Sequence, residues 1–257
     1  EIILKKMGVS AEGEPHMAPW LNFLEKMDKA TEDVTIGIVG KYVELQDAYK
    51  SINESLFQAA TYNDHRLNLR FIHSEKVNND NIESYLKDLD GVVIAPGFGQ
   101  RGIEGKFAAL KWCREHNVPT FGICLGMQCM VIEFARDVLG LEDANSTEME
   151  PSAKNNVIDL MEEQKSISNL GGTMRLGAYE CKLAPDSIAA KAYGSTLVKE
   201  RHRHRFEFNN DYREQFEAAG MKCVGENPAT HLVEVVEIPS LRWFTGTQYH
   251  PEYSSTV

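Results

Sequence analysis

The chain has 257 residues, of which 42% are hydrophobic and 25% charged, enough apolar material for one large globular domain or two small ones. No apolar run reaches the roughly eighteen residues of a membrane span, and no basic segment followed by an apolar one opens the sequence, so a cytoplasmic protein is expected. A formal charge of −11 argues against a general nucleic-acid binder, because phosphate contacts need a basic surface.

The first thirty residues read as a linker ending in a helix. Residues 1–14 mix apolar and charged side chains without a period, whereas Trp20, Phe23, Leu24 and Met27 recur at helical spacing behind Pro19. The charged stretch Lys29–Asp33 gives way to the β-rich run Val34–Val39, where the main domain, residues 34–257, is expected to start. Strands and helices then alternate: a helix over Asp47–Asn63, a strand over Leu67–Ile72, a helix around Ile82–Leu89, a strand over Gly91–Ala95, a helix around Gly105–His116 and a strand over Thr120–Ile123. This is the pattern of an α/β fold with a mostly parallel central sheet flanked by helices. Beyond Leu141 the pattern changes to loops and strands, notably Leu197–Phe208, Leu232–Ile238 and Trp243–Tyr249, which predict an additional smaller, antiparallel sheet.

The five cysteines show neither zinc-type pairing nor a disulfide framework. Cys124 stands apart, because the apolar run Val118–Ile123 meets the apolar run from Leu125 there, with Gly122 and Gly126 two residues away on either side. That is the cysteine counterpart of the G-x-S-x-G nucleophile elbow, in which absent side chains permit a sharp turn and a helix N-terminus stabilises a thiolate. A buried core cysteine is the alternative reading of the same local pattern. Cys113, Cys129, Cys181 and Cys223 lack flanking glycines and are assigned to structure.

Near the C-terminus, His250-Pro-Glu252 sets an imidazole and a carboxylate two residues apart on an extended backbone, which sends both to one side. A histidine held in one tautomer by a carboxylate is the base that can hold or withdraw a thiol proton near neutral pH. Alone, such a pair also occurs on solvated surfaces; together with the elbow it completes a triad of Cys124, His250 and Glu252. In Arg201-His-Arg-His-Arg205, strand alternation would divide the side chains between two faces, and no third metal ligand is spaced nearby, so no metal site is expected.

The Gly-x-Cys-x-Gly elbow followed far downstream by His-Pro-Glu resembles the class I glutamine amidotransferases. The stretches Gly40–Ser51, Gly97–Lys106, Asp143–Glu148, Gly171–Gly177 and Glu200–Glu207, with Trp243, are similar to the C-terminal glutaminase domains of CTP synthases in particular. The resemblance implies that the chain hydrolyses glutamine and passes ammonia to an N-terminal synthetase domain of the same polypeptide, in a homotetrameric parent enzyme. Residues 1–33 would then be the remnant of an interdomain linker. ATP and Mg2+ would serve the synthetase domain, with GTP as activator; no phosphate-binding G-x-x-x-x-G-K-[ST] occurs in this chain.

Carried over residue by residue, the resemblance implies an oxyanion hole from the backbone N–H groups of Gly97 and Leu125, and a glutamine site from Gly97, Phe98, Gln128, Glu148 and Arg205. It further implies GTP contacts from Arg101 and Arg175. Where the family has two glycines before the phenylalanine, Pro96 replaces the first, removing an N–H and fixing φ in the loop that carries the expected oxyanion donor. Other readings on the same fold are a different class I amidotransferase, a related cysteine hydrolase, or a ligand-sensing module without catalysis.

Overall fold

The computed structural model describes residues 2–10, 16–45, 47–160 and 174–257. Its strands are β1 (Glu32–Gly40), β2 (His65–His73), β3 (Gly91–Ile94), β4 (Thr120–Ile123), β5 (Asn145–Ser146), β6 (Asn156–Asp159), β7 (Arg175–Leu183), β8 (Leu197–His204), β9 (Glu207–Phe208), β10 (Lys222–Glu226), β11 (Val233–Glu237) and β12 (Phe244–Thr247). Its helices are α1 (Ile2–Met7), α2 (Ala18–Lys29), α3 (Lys50–Tyr62), α4 (Ile82–Leu86), α5 (Ile103–Glu115), α6 (Leu125–Asp137), α7 (Ile188–Tyr193) and α8 (Arg213–Ala219).

The parallel half of the main sheet runs in the order β2-β1-β3-β4-β12. Its inner strands are apolar on both faces because helices cover both. Val39, Val92 and Ile94 point toward α5 and α6, whereas Ile38, Val93 and Ile123 join Ile52 of α3 on the opposite side. β2, at the edge, instead alternates between exposed and partly buried positions. Helix α6 is buried from Leu125 to Ala135 on all sides, because the small sheet β5-β6-β9 lies over the face that the main sheet leaves uncovered. An apolar helix of this kind is stable only when enclosed.

The expected architecture is present, and its finer assignment differs in two respects. Strands β11, β10, β7 and β8 are antiparallel but continue the main sheet beyond β12, while the separate small sheet pairs β5 with β6 in parallel and β6 with β9 antiparallel. The run Leu197–Phe208 is therefore two strands in two sheets. In addition, residues 2–7 form a helix that the aperiodic sequence did not announce, with no buried side chain. Helix α2 lies where expected and rests on α3 through the edge-to-face pair Phe23–Phe57 at 5.8 Å and a Lys26 Nζ bond to the Tyr62 carbonyl at 2.8 Å. Among the described residues no helix is long and apolar enough to cross a membrane.

Candidate active site

Cys124 sits between the end of β4 and the first residue of α6 with φ 53° and ψ −105°. A non-glycine residue in that region stores about 1–3 kcal/mol of strain, tolerated when the surroundings over-determine it. The determinants are visible: the Cys124 N–H donates to the Thr247 carbonyl at 2.7 Å, and its carbonyl accepts from the Gln128 N–H at 3.1 Å. The flanking glycines serve the turn as expected, through their absent side chains, and neither takes a positive φ. Their service is close approach. A Cβ on Gly126 would stand 2.2 Å from the Ile94 carbonyl oxygen, and one on Gly122 would stand 2.8 Å from the Gly126 carbonyl carbon.

His250 follows β12, whose parallel pairing with β4 brings the C-terminal segment beside the elbow. Its Nδ1 lies 2.8 Å from Glu252 Oε1, and its backbone N–H donates to the Arg201 carbonyl at 2.9 Å. Ser55 of α3 donates to the Glu252 carbonyl at 3.3 Å, tying this corner to the neighbouring helix. With Nδ1 taken by the carboxylate, the buried Nε2 has no aligned hydrogen-bond partner among the described residues and is the edge left for the thiol. Burial alone would push the imidazole down; Cys124 and the Glu252 carboxylate outweigh it and hold His250 up at about 10. The histidine is therefore loaded with a proton near neutral pH and can give it to a leaving group.

Cys124, His250, Gly97 and Phe98 line one cavity of about 200 Å³, together with Tyr42, Ala48, Tyr49, Pro96, Arg203 and Tyr253. Of the expected oxyanion donors, Gly97 lines the cavity and Leu125 follows Cys124 next to it. Leu125 opens α6, where N–H groups have no intrahelical acceptor. A Cβ on Gly97 would meet Leu125 Cδ2 at 3.4 Å, so loop and elbow are in contact. Pro96 is accommodated in a chain without cis peptide bonds among the described residues, and Lys41 ties the loop down by donating to the Phe98 carbonyl. The other thiols are inert by comparison: burial pushes Cys113 and Cys223 to about 12 and Cys129 to about 11, and raises Cys181 as well.

Of the residues expected to hold glutamine, Gly97 and Phe98 line this cavity, whereas Gln128, Glu148 and Arg205 do not. Gln128, one turn into α6, donates from Nε2 to the Phe206 carbonyl at 2.8 Å and to Gln248 Oε1 at 3.1 Å. Glu148 Oε1 accepts from the Gly99 N–H at 2.9 Å, and the buried Nε of Arg205 has no hydrogen-bond partner among the described residues. The segment Arg201–Arg205 behaves as strand alternation requires: His202 and His204 are buried while Arg201 and Arg203 face outward.

Residues 44–257 match the family described as Glutamine amidotransferase class-I. The chain belongs to the class-I glutamine amidotransferases. A CTP synthase of Bacteroides fragilis is 65% identical over 257 residues, which are 100% of this chain and 48% of that protein. A CTP synthase of Porphyromonas gingivalis is 62% identical over 257 residues, again 100% of this chain and 48% of the relative. The chain thus spans about half the length of these relatives. Among solved structures, a Trypanosoma brucei CTPS glutaminase domain with bound acivicin matches with a TM-score of 0.81 and 38% identity, over 87% of this chain and 88% of that one. A glutamine amidotransferase of Thermotoga maritima, at 15% identity and a TM-score of 0.55 over 86% of this chain and 77% of that one, shares the fold.

The two arginines singled out for an activator occupy different environments in this amidotransferase. Arg101 is half exposed, with its guanidinium 5.2 Å from the centre of the Tyr42 ring and 3.3 Å from Glu75, beside the cavity mouth. Arg175 is buried and committed to Glu234 at 2.6 Å and Glu207 at 3.5 Å, so a phosphate contact would require breaking two buried ion pairs. Gln46 and Gly171–Thr173, within segments that carried the resemblance, lie outside the described residues. Tyr42, Tyr49, Arg203 and Tyr253 were missed as cavity residues. The segments holding the first three were already singled out by resemblance, but only the topology brings them to the thiol. Among the described residues no group of three or more His, Cys, Asp or Glu side chains is gathered that could hold a metal ion.

Proposed function

We propose that this chain hydrolyses glutamine to glutamate and ammonia through a thioester on Cys124. We further propose that the ammonia feeds ATP-dependent amination of UTP to CTP, a step of pyrimidine nucleotide biosynthesis, in a synthetase region of the same polypeptide. The observation that carries the first step is a strained cysteine sharing a cavity with a histidine whose Nδ1 is 2.8 Å from Glu252. The second step is supported by the name and 65% identity of the longer Bacteroides relative.

In the first half-reaction the Cys124 thiolate attacks the glutamine carboxamide carbon, and the developing oxyanion is met by the N–H groups of Gly97 and Leu125. Each such donor is worth about 3 kcal/mol or more on removal. His250 protonates the departing nitrogen, so ammonia leaves and a glutamyl thioester remains. His250 then takes a proton from water, which attacks the thioester and releases glutamate and the thiol. Glu252 holds the ring in one tautomer throughout. Glu148 supplies a carboxylate for the substrate ammonium and Arg205 a cation for its carboxylate. GTP acts from outside the cavity, where Arg101 offers an exposed guanidinium; ATP and Mg2+ belong to the synthetase region.

The test is steady-state glutamate release combined with peptide mapping after acivicin treatment. Wild-type protein releases glutamate and carries the label on Cys124; Cys124→Ala does neither. Glutamate release at the wild-type rate by Cys124→Ala would overturn the proposal, and UTP amination by the full-length polypeptide tests its second half.

A further inference from the structure

Gln248 stands between the last residue of β12 and the catalytic pair, fully buried, and nothing in the mechanism above uses it. Its backbone N–H is anchored on the Glu234 carbonyl at 2.8 Å, which fixes where the side chain starts. From there the carboxamide reaches the nucleophile: Nε2 lies 3.7 Å from Cys124 Sγ. On its other side, Oε1 accepts from Gln128 Nε2 at 3.1 Å, and the same Gln128 nitrogen donates to the Phe206 carbonyl at 2.8 Å.

The direction of this chain follows from its far end. A backbone carbonyl can only accept, so Gln128 must present its NH2 group to Phe206. One hydrogen of that NH2 serves Phe206 and the other points at Gln248, which must therefore offer its oxygen. The NH2 of Gln248 is then left on the opposite side, against the sulfur. Reversing Gln248 would set two NH2 groups against each other and put a carbonyl oxygen against Sγ, losing both contacts at once. A sulfur that receives an N–H is favoured as thiolate over thiol, because the donated hydrogen bond strengthens with the acceptor's negative charge.

We propose that Gln248 is a catalytic residue that holds the Cys124 thiolate by donating its carboxamide N–H to Sγ, in an orientation imposed by the Phe206 carbonyl through Gln128. The proposal rests on Cys124 being the nucleophile. It gives Gln128 a second duty, since both of its amide hydrogens are engaged within the protein, and the glutamine contact expected of it falls to its oxygen. It also adds a neutral donor that does not titrate to the other groups facing the sulfur, which are the imidazolium of His250, the buried amine of Lys106 and the Arg203 carbonyl 3.9 Å from Sγ.

The experiment is alkylation of Cys124 by iodoacetamide as a function of pH, followed by peptide mapping, with no glutamine present. Gln248→Met keeps the length and bulk of the side chain but removes the donor. It is expected to raise the midpoint of the alkylation profile by about one pH unit, the tenfold effect of losing one hydrogen bond to a charged group. Gln128→Met, which frees Gln248 to turn, moves the midpoint in the same direction by less. Thermal melting checks that each variant is folded, and Gln248→Leu serves if the methionine variant is not. A folded Gln248 variant with an unchanged midpoint overturns the role of Gln248, and an unshifted Gln128→Met beside a shifted Gln248→Met overturns the imposed orientation. Failure of the wild-type protein to be labelled at Cys124 would instead remove the underlying reading of the nucleophile.

Discussion

Oε1 of Glu148 accepts the Gly99 N–H at 2.9 Å, so the carboxylate proposed to meet the substrate ammonium also holds the loop that carries the proposed oxyanion donor. Gly99 turns its N–H toward Glu148 with φ +69°, a left-handed conformation with no atom within 4 Å of a Cβ position, where a side chain would be strained but not crowded. The proposed binding and chemistry are thus joined through two residues of backbone. Glu148→Gln retains an acceptor for Gly99 and loses the charge, so KM for glutamine should rise about 10- to 100-fold, the loss of one charge-assisted hydrogen bond, with kcat nearly kept. Glu148→Ala should lower kcat as well, because the loop is released. Equal kcat values in the two variants would separate the loop from the carboxylate.

The elbow gives a steric prediction. The methyl of Gly126→Ala would stand 2.2 Å from the Ile94 carbonyl oxygen, a backbone atom of a central strand that cannot yield cheaply. Such overpacking costs about 1–3 kcal/mol or more, and each kcal/mol lowers Tm by about 2–4 °C in a chain of this size. Glutamate release should fall further than stability, since relief of the clash moves Leu125 and Cys124 together. Gly97→Ala is the contrast: its methyl meets Leu125 Cδ2 at 3.4 Å and Lys41 Cε at 3.5 Å, ordinary contacts, and Tm should hold. Melting curves of the two variants that coincide would contradict this account of the elbow.

These relationships divide according to how local they are. The proposed triad could be picked out because each part is a short pattern with its own chemistry, a cysteine between two glycines at a strand-to-helix junction and a histidine two residues from a carboxylate. The alternation of Arg201–Arg205 was legible for the same reason, since the period of a strand needs no partner to be read. What the sequence left unread is pairing over distance. β12 lies beside β4, and that single choice brings the Thr247 carbonyl to the Cys124 N–H and Gln248 to Sγ. Tyr42, Tyr49, Arg203 and Tyr253 reach the cavity from segments far apart in the chain, and no local period marks them. The antiparallel strands carry the same alternation in either sheet, so their assignment to the main sheet depended on edges that only the fold supplies.

Arg175 and Arg101 separate a structural arginine from an exposed one. Arg175→Ala would leave Glu234 and Glu207 buried without their cation, a loss of about 3–5 kcal/mol and a clear fall in Tm. Arg101→Ala removes an exposed pair with Glu75, worth about 0–1 kcal/mol, and should leave the melting curve nearly in place. Any effect of Arg101→Ala on GTP activation in the full-length polypeptide can therefore be read directly, whereas one from Arg175→Ala must first be corrected for unfolding. A stable Arg175→Ala protein would show that the two carboxylates are protonated, solvated or held by His202 and His204, which lie 3.7 Å from Glu234 and 2.8 Å from Glu207.

The catalytic pair should also be visible in the pH dependence of stability. His250 is held at about 10 in the folded chain against burial, by Cys124 first and Glu252 second, whereas an unfolded histidine releases its proton near its ordinary value of about 6.5. A raised folded value stabilises the fold fully below the unfolded value, and that contribution is lost as the pH climbs toward 10. Wild-type protein should therefore lose stability between neutral and alkaline pH through this group, by at most about 1.4 kcal/mol per pH unit. Lys106, buried with its Nζ 2.5 Å from the Ala95 carbonyl and held below its ordinary value by desolvation, acts in the opposite sense. It is common to wild type and Glu252→Gln; in Cys124→Ala it loses the Cys124 influence that raises it, which flattens the decline further. Urea denaturation at a series of pH values should give a shallower decline for Glu252→Gln than for wild type, and a shallower one still for Cys124→Ala, which removes the stronger of the two influences on the imidazole. Parallel curves for the three proteins would mean that thiol and imidazole do not share a proton in the resting state.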